Sequence, residues 1–499
     1  MRFRSSAAAR TCGLGVAVLL VFVALPGAFT VSEASTRPHV GGTLRIEFRE
    51  RVPTLDPRVR PDEAQAARAQ ELVDALVFDR LLRLDDHGDP APALAVAWQS
   101  EDAGKRWRFQ LRPGVQFSDG TSLTAEIAAA ALAPEILPEL GSGTHVDSIG
   151  QSSLSIESDD AMPDLPQQLA TGRHFIFRVT EDGKSLVGTG PFVIDHWDSG
   201  ALPQQDIFAA NTRCWAGRPF VDRIAISLGV ESQRIEADLE FGLTDAGELA
   251  PSEMRRAAEH SVRTWSSEPV DLFVLNFDSS RPAVQSERLR EAISAAIDRS
   301  AIASVVLQHQ AVPAGALLPQ WISGYAFLFP AGAPLTSQNP SAAVKTPAPL
   351  VMVYDSQDAE ARAVAERVIV DLRTAGIAAE AHPRPDAPST PPPQADVRLL
   401  RVAIALPEPR GALDLVLGAL PVRPSAIAFT NAAGLDVEDP ESLYSAERAA
   451  LADFRIVPLA HATENWGLGA TVRDWMAPRW GDLRLEDVWL DLPPAANPQ

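Results

Sequence analysis

Cysteine is almost missing from this 499-residue chain, with only Cys12 and Cys214 present. Cys12 falls in an N-terminal stretch expected to be removed, and the single thiol that remains excludes an intramolecular disulfide. Neither cysteine sits in a Cys/His cluster of zinc spacing, so no metal site is expected, and Cys214 reads as a small buried hydrophobe. Positive charge is also short. Lys+Arg 44 against Asp+Glu 65 leaves a net charge of −21, which excludes a nucleic-acid backbone binder and a protein held by charge on anionic lipid. The phosphate-cradling GxxxxGK[ST] loop, HExxH, GxSxG and GxGxxG are all missing. No cofactor and no catalytic residue is therefore assigned. The nine histidines, His309 among them, are scattered without an i, i+4 pair. Beyond one N-terminal run, no segment approaches 18 uncharged apolar residues, so the remainder is expected to be soluble.

What the chain does have is an ordinary globular balance, 46% hydrophobic and 22% charged, over a length that calls for two or more domains. Ten tryptophans and 41 prolines suggest a loop-rich body with large aromatic surfaces. Arg2, Arg4 and Arg10 precede an apolar run from about Gly13 to Phe29, the pattern of a secretory signal. Ser32-Glu33-Ala34 offers small residues for cleavage after Ala34, giving a signal peptide over 1–34. An uncleaved membrane anchor is the alternative. Cys12 lies before the apolar run, which excludes a lipoprotein.

The body alternates between strand and helix patterns. Thr43 to Phe48 reads as a short alternating strand after the glycine pair Gly41-Gly42. Residues 62–84 suit a helix, with Leu72, Leu76 and Phe78 toward a sheet. Asp85, Asp86 and Asp89 crowd one turn without calcium-loop spacing and read as a solvated loop. Trp107 to Leu111 alternates as a strand, and a helix is expected from Thr124 to about Leu132. Two further alternating runs, Ser153–Glu157 and His174–Val179, follow. Strands are expected at Phe192–Asp195, Ile224–Leu228 and Leu272–Phe277, and helices at Gln233–Phe241 and around Leu289–Ile297. Leu350–Tyr354, Ala359–Ala375 and Ile377–Ala381 form strand, helix, strand, with Gly376 placed as a left-handed cap. Residues 383–394 are proline-rich and read as an extended loop. Trp466, Trp475, Trp480 and Trp489 crowd the tail.

In their order these segments resemble the extracytoplasmic solute-binding proteins of ABC importers, in the peptide/nickel class called family 5. Gly41-Gly42-Thr43-Leu44 and Thr54-Leu55-Asp56-Pro57 resemble that family's first strand and turn. The most specific stretch runs from Trp107-Arg108-Phe109 through Arg112-Pro113-Gly114 and Ser118-Asp119-Gly120-Thr121 to Glu126. Gly188-Thr189-Gly190-Pro191-Phe192 and Cys214-Trp215 resemble the return into the first lobe. Asn276-Phe277 with Leu289 to Arg299 resembles the opening of the second, and Val457-Pro458-Leu459 and Asp487-Val488-Trp489 the close. The likeness covers roughly residues 40–490.

The resemblance implies an α/β, periplasmic-binding-protein type II-like fold, two lobes with a hinge, the first carrying an extra subdomain. Lobe I would take 35–57, 179–268 and 463–490, the subdomain 58–178, and lobe II 269–462. It implies a monomeric, periplasmic receptor for peptide-like solutes that serves ABC importer permease subunits, with no nucleic acid involved. The region 395–445 is shorter than the family's pattern and lacks its Trp and any clear acid for a peptide's amino terminus. Other readings therefore stay open: a receptor for a metal chelate or sugar, or a non-transport sensor or chaperone-like module on the same scaffold. Asn276, Trp321, Tyr325, His461 and Trp466 are the expected ligand-binding residues. Asn276 ends a strand and both donates and accepts hydrogen bonds; the aromatics offer rigid contact area in loop-rich stretches.

Overall fold

In the computed structural model, the described residues are 38–59, 61, 64–331, 348–384, 394–421, 440–475 and 483–491, less one to three consecutive positions at a few places within these ranges. The expected signal peptide, Asp86, most of the proline-rich run 383–394 and Trp480 lie outside them. No helix among the described residues is long and apolar enough to cross a membrane.

Among the described residues, eleven strands form the main sheet. In chain order they are β1 (Thr43–Glu47), β2 (Phe192–His196), β3 (Gln204–Ala210), β4 (Arg223–Leu228), β5 (Ala246–Glu248), β6 (Arg263–Phe277), β7 (Ala311–Pro313), β8 (Leu350–Tyr354), β9 (Ala379–Pro383), β10 (Val397–Ala403) and β11 (Ile456–Leu468). Their spatial order is β2-β3-β4-β1-β5-β11-β6-β10-β8-β9, with β7 pairing β11 from the side. One block, β2 to β5, is joined to the other, β10-β8-β9, by the long antiparallel pair β6–β11. The helices of eight or more residues are α1 (Ala64–Val77), α2 (Ala125–Leu140), α3 (Ser232–Glu240), α4 (Pro251–Glu259), α5 (Glu287–Ala296), α6 (Ala359–Thr374), α7 (Pro409–Ala419) and α8 (Pro440–Leu451).

β6 illustrates why these residues make this sheet. Phe273, Leu275 and Phe277 point to one side, into a core with Ile293, Val364, Val368 and Leu459. Leu272 and Val274 point to the other, among Leu317, Leu318, Leu413 and Val416. A strand covered on both faces reads as a continuous apolar run instead of alternating. The first block has its own core, with Leu44, Ile46, Phe48, Leu76, Phe208, Ile224 and Trp466. A separate four-stranded sheet over residues 95–157 buries Phe109, Phe117, Leu132, Ile136 and Leu154 against α2. The β6–β11 ladder is interrupted on both sides of Pro269. There the Ser267 hydroxyl takes the Glu464 backbone N–H at 2.9 Å, and the Pro269 carbonyl accepts from Trp321 Nε1 at 2.9 Å.

Several element boundaries differ from the sequence expectation. The helix expected over 62–84 stops at Val77, because Asp79–Arg80 pairs as a strand with Phe175–Ile176 and the Asp79 carboxylate is held by Thr189 and Trp215 at 2.7 and 2.8 Å. The helix expected to end near Leu132 continues to Leu140 through Pro134 and Pro138. Each internal proline costs roughly 3 kcal/mol, offset by burying Leu132 and Ile136 completely. His174–Val179 forms two two-residue strands instead of one run. Gly376 does close α6: it stands at φ +80, and its N–H and that of Ile377 bond Arg373 and Leu372 oxygens at 3.0 and 2.9 Å, a Schellman end. Cys214 is half-buried, and burial pushes its thiol up to about 11, which leaves it unreactive.

Candidate functional site

Charged residues gather where the two blocks of the sheet meet. Arg49 and Glu50 follow the end of β1, Glu248 closes β5, Asp271 sits inside β6, Arg401 inside β10, Glu464 inside β11, and Asp358 and Glu360 open α6. The Asp358 side chain caps that helix, accepting the Ala361 N–H at 2.8 Å. This leaves Glu360 in the first turn, facing out of the helix N-terminus, where negative charge is favoured.

The bonds run between elements. Arg49 donates from Nη2 to Glu360 at 2.8 Å and from its backbone to Glu248 at 3.1 Å. Arg401 donates through Nε to Asp271 at 2.9 Å and approaches both Asp358 and Glu360 at 3.6 Å. Arg68 of α1 reaches Glu464 at 3.3 Å. The seam thus gathers three guanidinium groups against six carboxyls.

The protonation behaviour follows from that crowding. Burial raises the Asp271 and Glu248 carboxyls, against the pull of Arg401 and Arg49 respectively. Burial raises Asp358 to about 6 as well. Burial also opposes ionisation of Glu360, but Arg49 and Arg401 outweigh it and bring the group to about 2. Glu50 is only half-buried, yet desolvation, helped by Glu248, lifts it to about 8. Glu50 thus keeps partial contact with solvent while its neighbours disfavour its charged form.

The five residues expected to bind ligand are dispersed around this seam rather than gathered into one cluster. Asn276, 1% exposed, is in register with Arg398 of β10 and Ile456 of β11. Trp466 packs edge-on against Phe48, centroids 5.3 Å apart, in the core of the first block. Trp321 braces the β6 interruption through Pro269. His461 and Tyr325 flank the segment around Leu317. His461 Nε2 lies 2.9 Å from the Leu317 carbonyl, and burial lowers its pKa to about 4. The ring is therefore neutral, and because a carbonyl only accepts, Nε2 carries the proton. The Tyr325 hydroxyl faces Glu447, which also accepts the Leu317 and Leu318 N–H groups.

Sequence reasoning missed the seam itself. The available signal was a charge embedded in an apolar strand: Val270-Asp271-Leu272, Leu400-Arg401-Val402 and Phe48-Arg49. Such a residue must find a buried partner.

Comparison with known proteins places these observations among relatives. Residues 89–418 match the profile of "Bacterial extracellular solute-binding proteins, family 5 Middle". The chain is 24% identical over 258 residues to the nickel-binding periplasmic protein of Escherichia coli, covering 47% of this chain and 48% of that one. It is 25% identical over 304 residues to a probable D,D-dipeptide-binding periplasmic protein of the same bacterium, covering 54% and 56%. The chain spans about half the length of these curated relatives. Among solved structures, the periplasmic binding protein DppA of Helicobacter pylori in complex with the peptide STSA superposes with a TM-score of 0.75 at 14% identity, over 91% of this chain and 99% of that one. NikA of Brucella suis in complex with Fe(III)-EDTA gives 0.73 at 18%, over 90% and 100%.

Proposed function

Since the chain belongs to the bacterial extracellular solute-binding proteins of family 5 and shares their α/β, type II periplasmic-binding fold, we propose that it is a receptor that takes a peptide-like solute into the seam between the two blocks. It works outside the cytoplasm as a monomer, performs no catalytic step, binds no nucleic acid and presents its guest to the permease subunits of an ABC importer. The observation that supports this reading most is the convergence of side chains from both blocks on one seam, Arg49, Glu50 and Glu248 from one and Asp271, Asp358, Glu360 and Arg401 from the hinge strand and the other. A guest touching both walls stabilises the closed arrangement by its differential affinity for it.

The six carboxyls against three guanidinium groups favour a guest that carries an amino group. Glu50, Glu248 and Glu464 are the acids we assign to that contact, Glu50 holding a proton before the guest enters and giving it up when the ammonium arrives. Asn276, Trp321, Tyr325, His461 and Trp466 we assign to holding the walls, through backbone bonds and packing.

Calorimetry of the purified body with pools of neutral, cationic and acidic short peptides tests the reading. Saturable binding is expected, strongest for amine-rich pools, and weakened by Glu50→Gln. Silence across peptides, metal chelates and sugars overturns it.

A further inference from the structure

We propose that Glu236, Glu240 and His260 form a divalent-metal site of the zinc type on the α3–α4 helix pair, separate from the charged seam. Two helices build it. Ile235 and Leu239 of α3 pack with Met254 and Ala257 of α4, fixing the pair side by side. Glu236 and Glu240 are one helical turn apart and share a face. His260 ends α4, its N–H bonded to the Arg256 carbonyl at 3.0 Å.

The donor atoms converge. His260 Nδ1 lies 3.3 Å from Glu236 Oε1 and 3.0 Å from Glu240 Oε2, and the three ligand atoms all fall within 4.8 Å of one another. Zinc bonds to nitrogen and oxygen near 2.1 Å set a tetrahedral edge of about 3.4 Å, so these separations already approach those of a metal-bound trio. A second observation points the same way. Glu236 is 1% exposed, yet neither of its oxygens makes a hydrogen bond. Its polar neighbours are the His260 ring and Arg256, the latter with Nε at 3.3 Å and its side chain 59% exposed. A buried carboxylate held only by ion-pair proximity retains lone pairs for a metal. Two carboxylates and a neutral imidazole balance a 2+ ion and leave its fourth position to water. Arg256, largely in solvent, competes with the metal for Glu236 and moves aside when the metal binds.

The test uses the purified protein, stripped with chelator and titrated with zinc chloride by calorimetry and by thermal unfolding. One ion per chain and a raised Tm are expected. His260→Ala and Glu240→Gln should each weaken binding at least tenfold, and Arg256→Gln should strengthen it, which a purely structural ion pair would not do. Absence of zinc binding at millimolar concentration, or binding unchanged in both Glu240→Gln and His260→Ala, overturns the site. Peptide calorimetry on the same variants is expected to be unchanged, so this result stands apart from the receptor reading.

Discussion

Arg49 and Glu360 are 311 residues apart in the chain, and Arg49 Nη2 donates to the Glu360 carboxylate at 2.8 Å. Their side chains are only 14% and 9% exposed. The bond ties the end of β1 to the first turn of α6, and so one block of the sheet to the other.

Removing one partner of such a pair leaves a buried charge uncompensated, which costs about 3–5 kcal/mol, whereas replacing both by apolar groups of similar volume costs far less. Arg49→Met alone is expected to lower the urea midpoint strongly, and Arg49→Met with Glu360→Leu to recover much of the loss. A double-mutant cycle with no coupling would show that the pair is not formed in solution.

Leu317 links two buried titrating groups with opposite pH slopes. Burial raises Glu447 from 4.5 to about 7 and lowers His461 from 6.5 to about 4. For Glu447 the folded state holds the proton longer, so its contribution to stability is lost as pH rises from about 4.5 to 7. For His461 the unfolded state takes the proton first, so stability is lost as pH falls from about 6.5 to 4. Each shift corresponds to about 3 kcal/mol, and the slopes oppose each other between pH 4.5 and 6.5. Glu447→Gln keeps an acceptor for the Leu317 and Leu318 N–H groups and should unmask the histidine slope. Chemical unfolding of that variant is expected to show stability changing more positively with pH across this window than in the parent.

The His461 ring is expected to stay neutral down to about pH 4, with its proton on Nε2. Nitrogen-15 shifts of the imidazole report both, and a titration near 6.5 would contradict the buried placement.

Gly188 and Gly418 should respond oppositely to alanine. A Cβ on Gly188 would lie 1.9 Å from the Val77 carbonyl oxygen and 2.7 Å from Phe78 Cδ1, contacts that backbone cannot relieve. Gly188→Ala should destabilise by at least about 2–3 kcal/mol. Gly418 is exposed in α7 with no atom within 4 Å of such a Cβ, so Gly418→Ala should stabilise by about 0.5–1 kcal/mol. Thermal unfolding of both distinguishes them.

Elements with a strong local signature could be read from the sequence. Ser153–Glu157 and Leu350–Tyr354 are strands over the expected residues, and Gly376 closes its helix as its position implied. Boundaries failed where a distant contact decided them: α1 ends where Asp79 meets Thr189 and Trp215, partners more than a hundred residues away. The seam was invisible for the same reason. Arg49, Asp271, Glu360 and Arg401 acquire meaning only once four separate elements bring them together, and their one local trace is a charge within an apolar strand. Aromatic residues, by contrast, drew attention for their chemistry, while Trp466 takes its place in the core through its packing against Phe48.

The break in the β6–β11 ladder at Pro269 makes the two strands a leaf spring with one thin section. Pro269 has no N–H to give the ladder, and Ser267 substitutes a hydroxyl for a backbone partner. Trp321, hooked to the Pro269 carbonyl, ties that thin section to the short helix Gln320–Ser323. Trp321→Phe, which cannot reach the carbonyl with a donor, removes that tie and should leave the ladder easier to bend at Pro269.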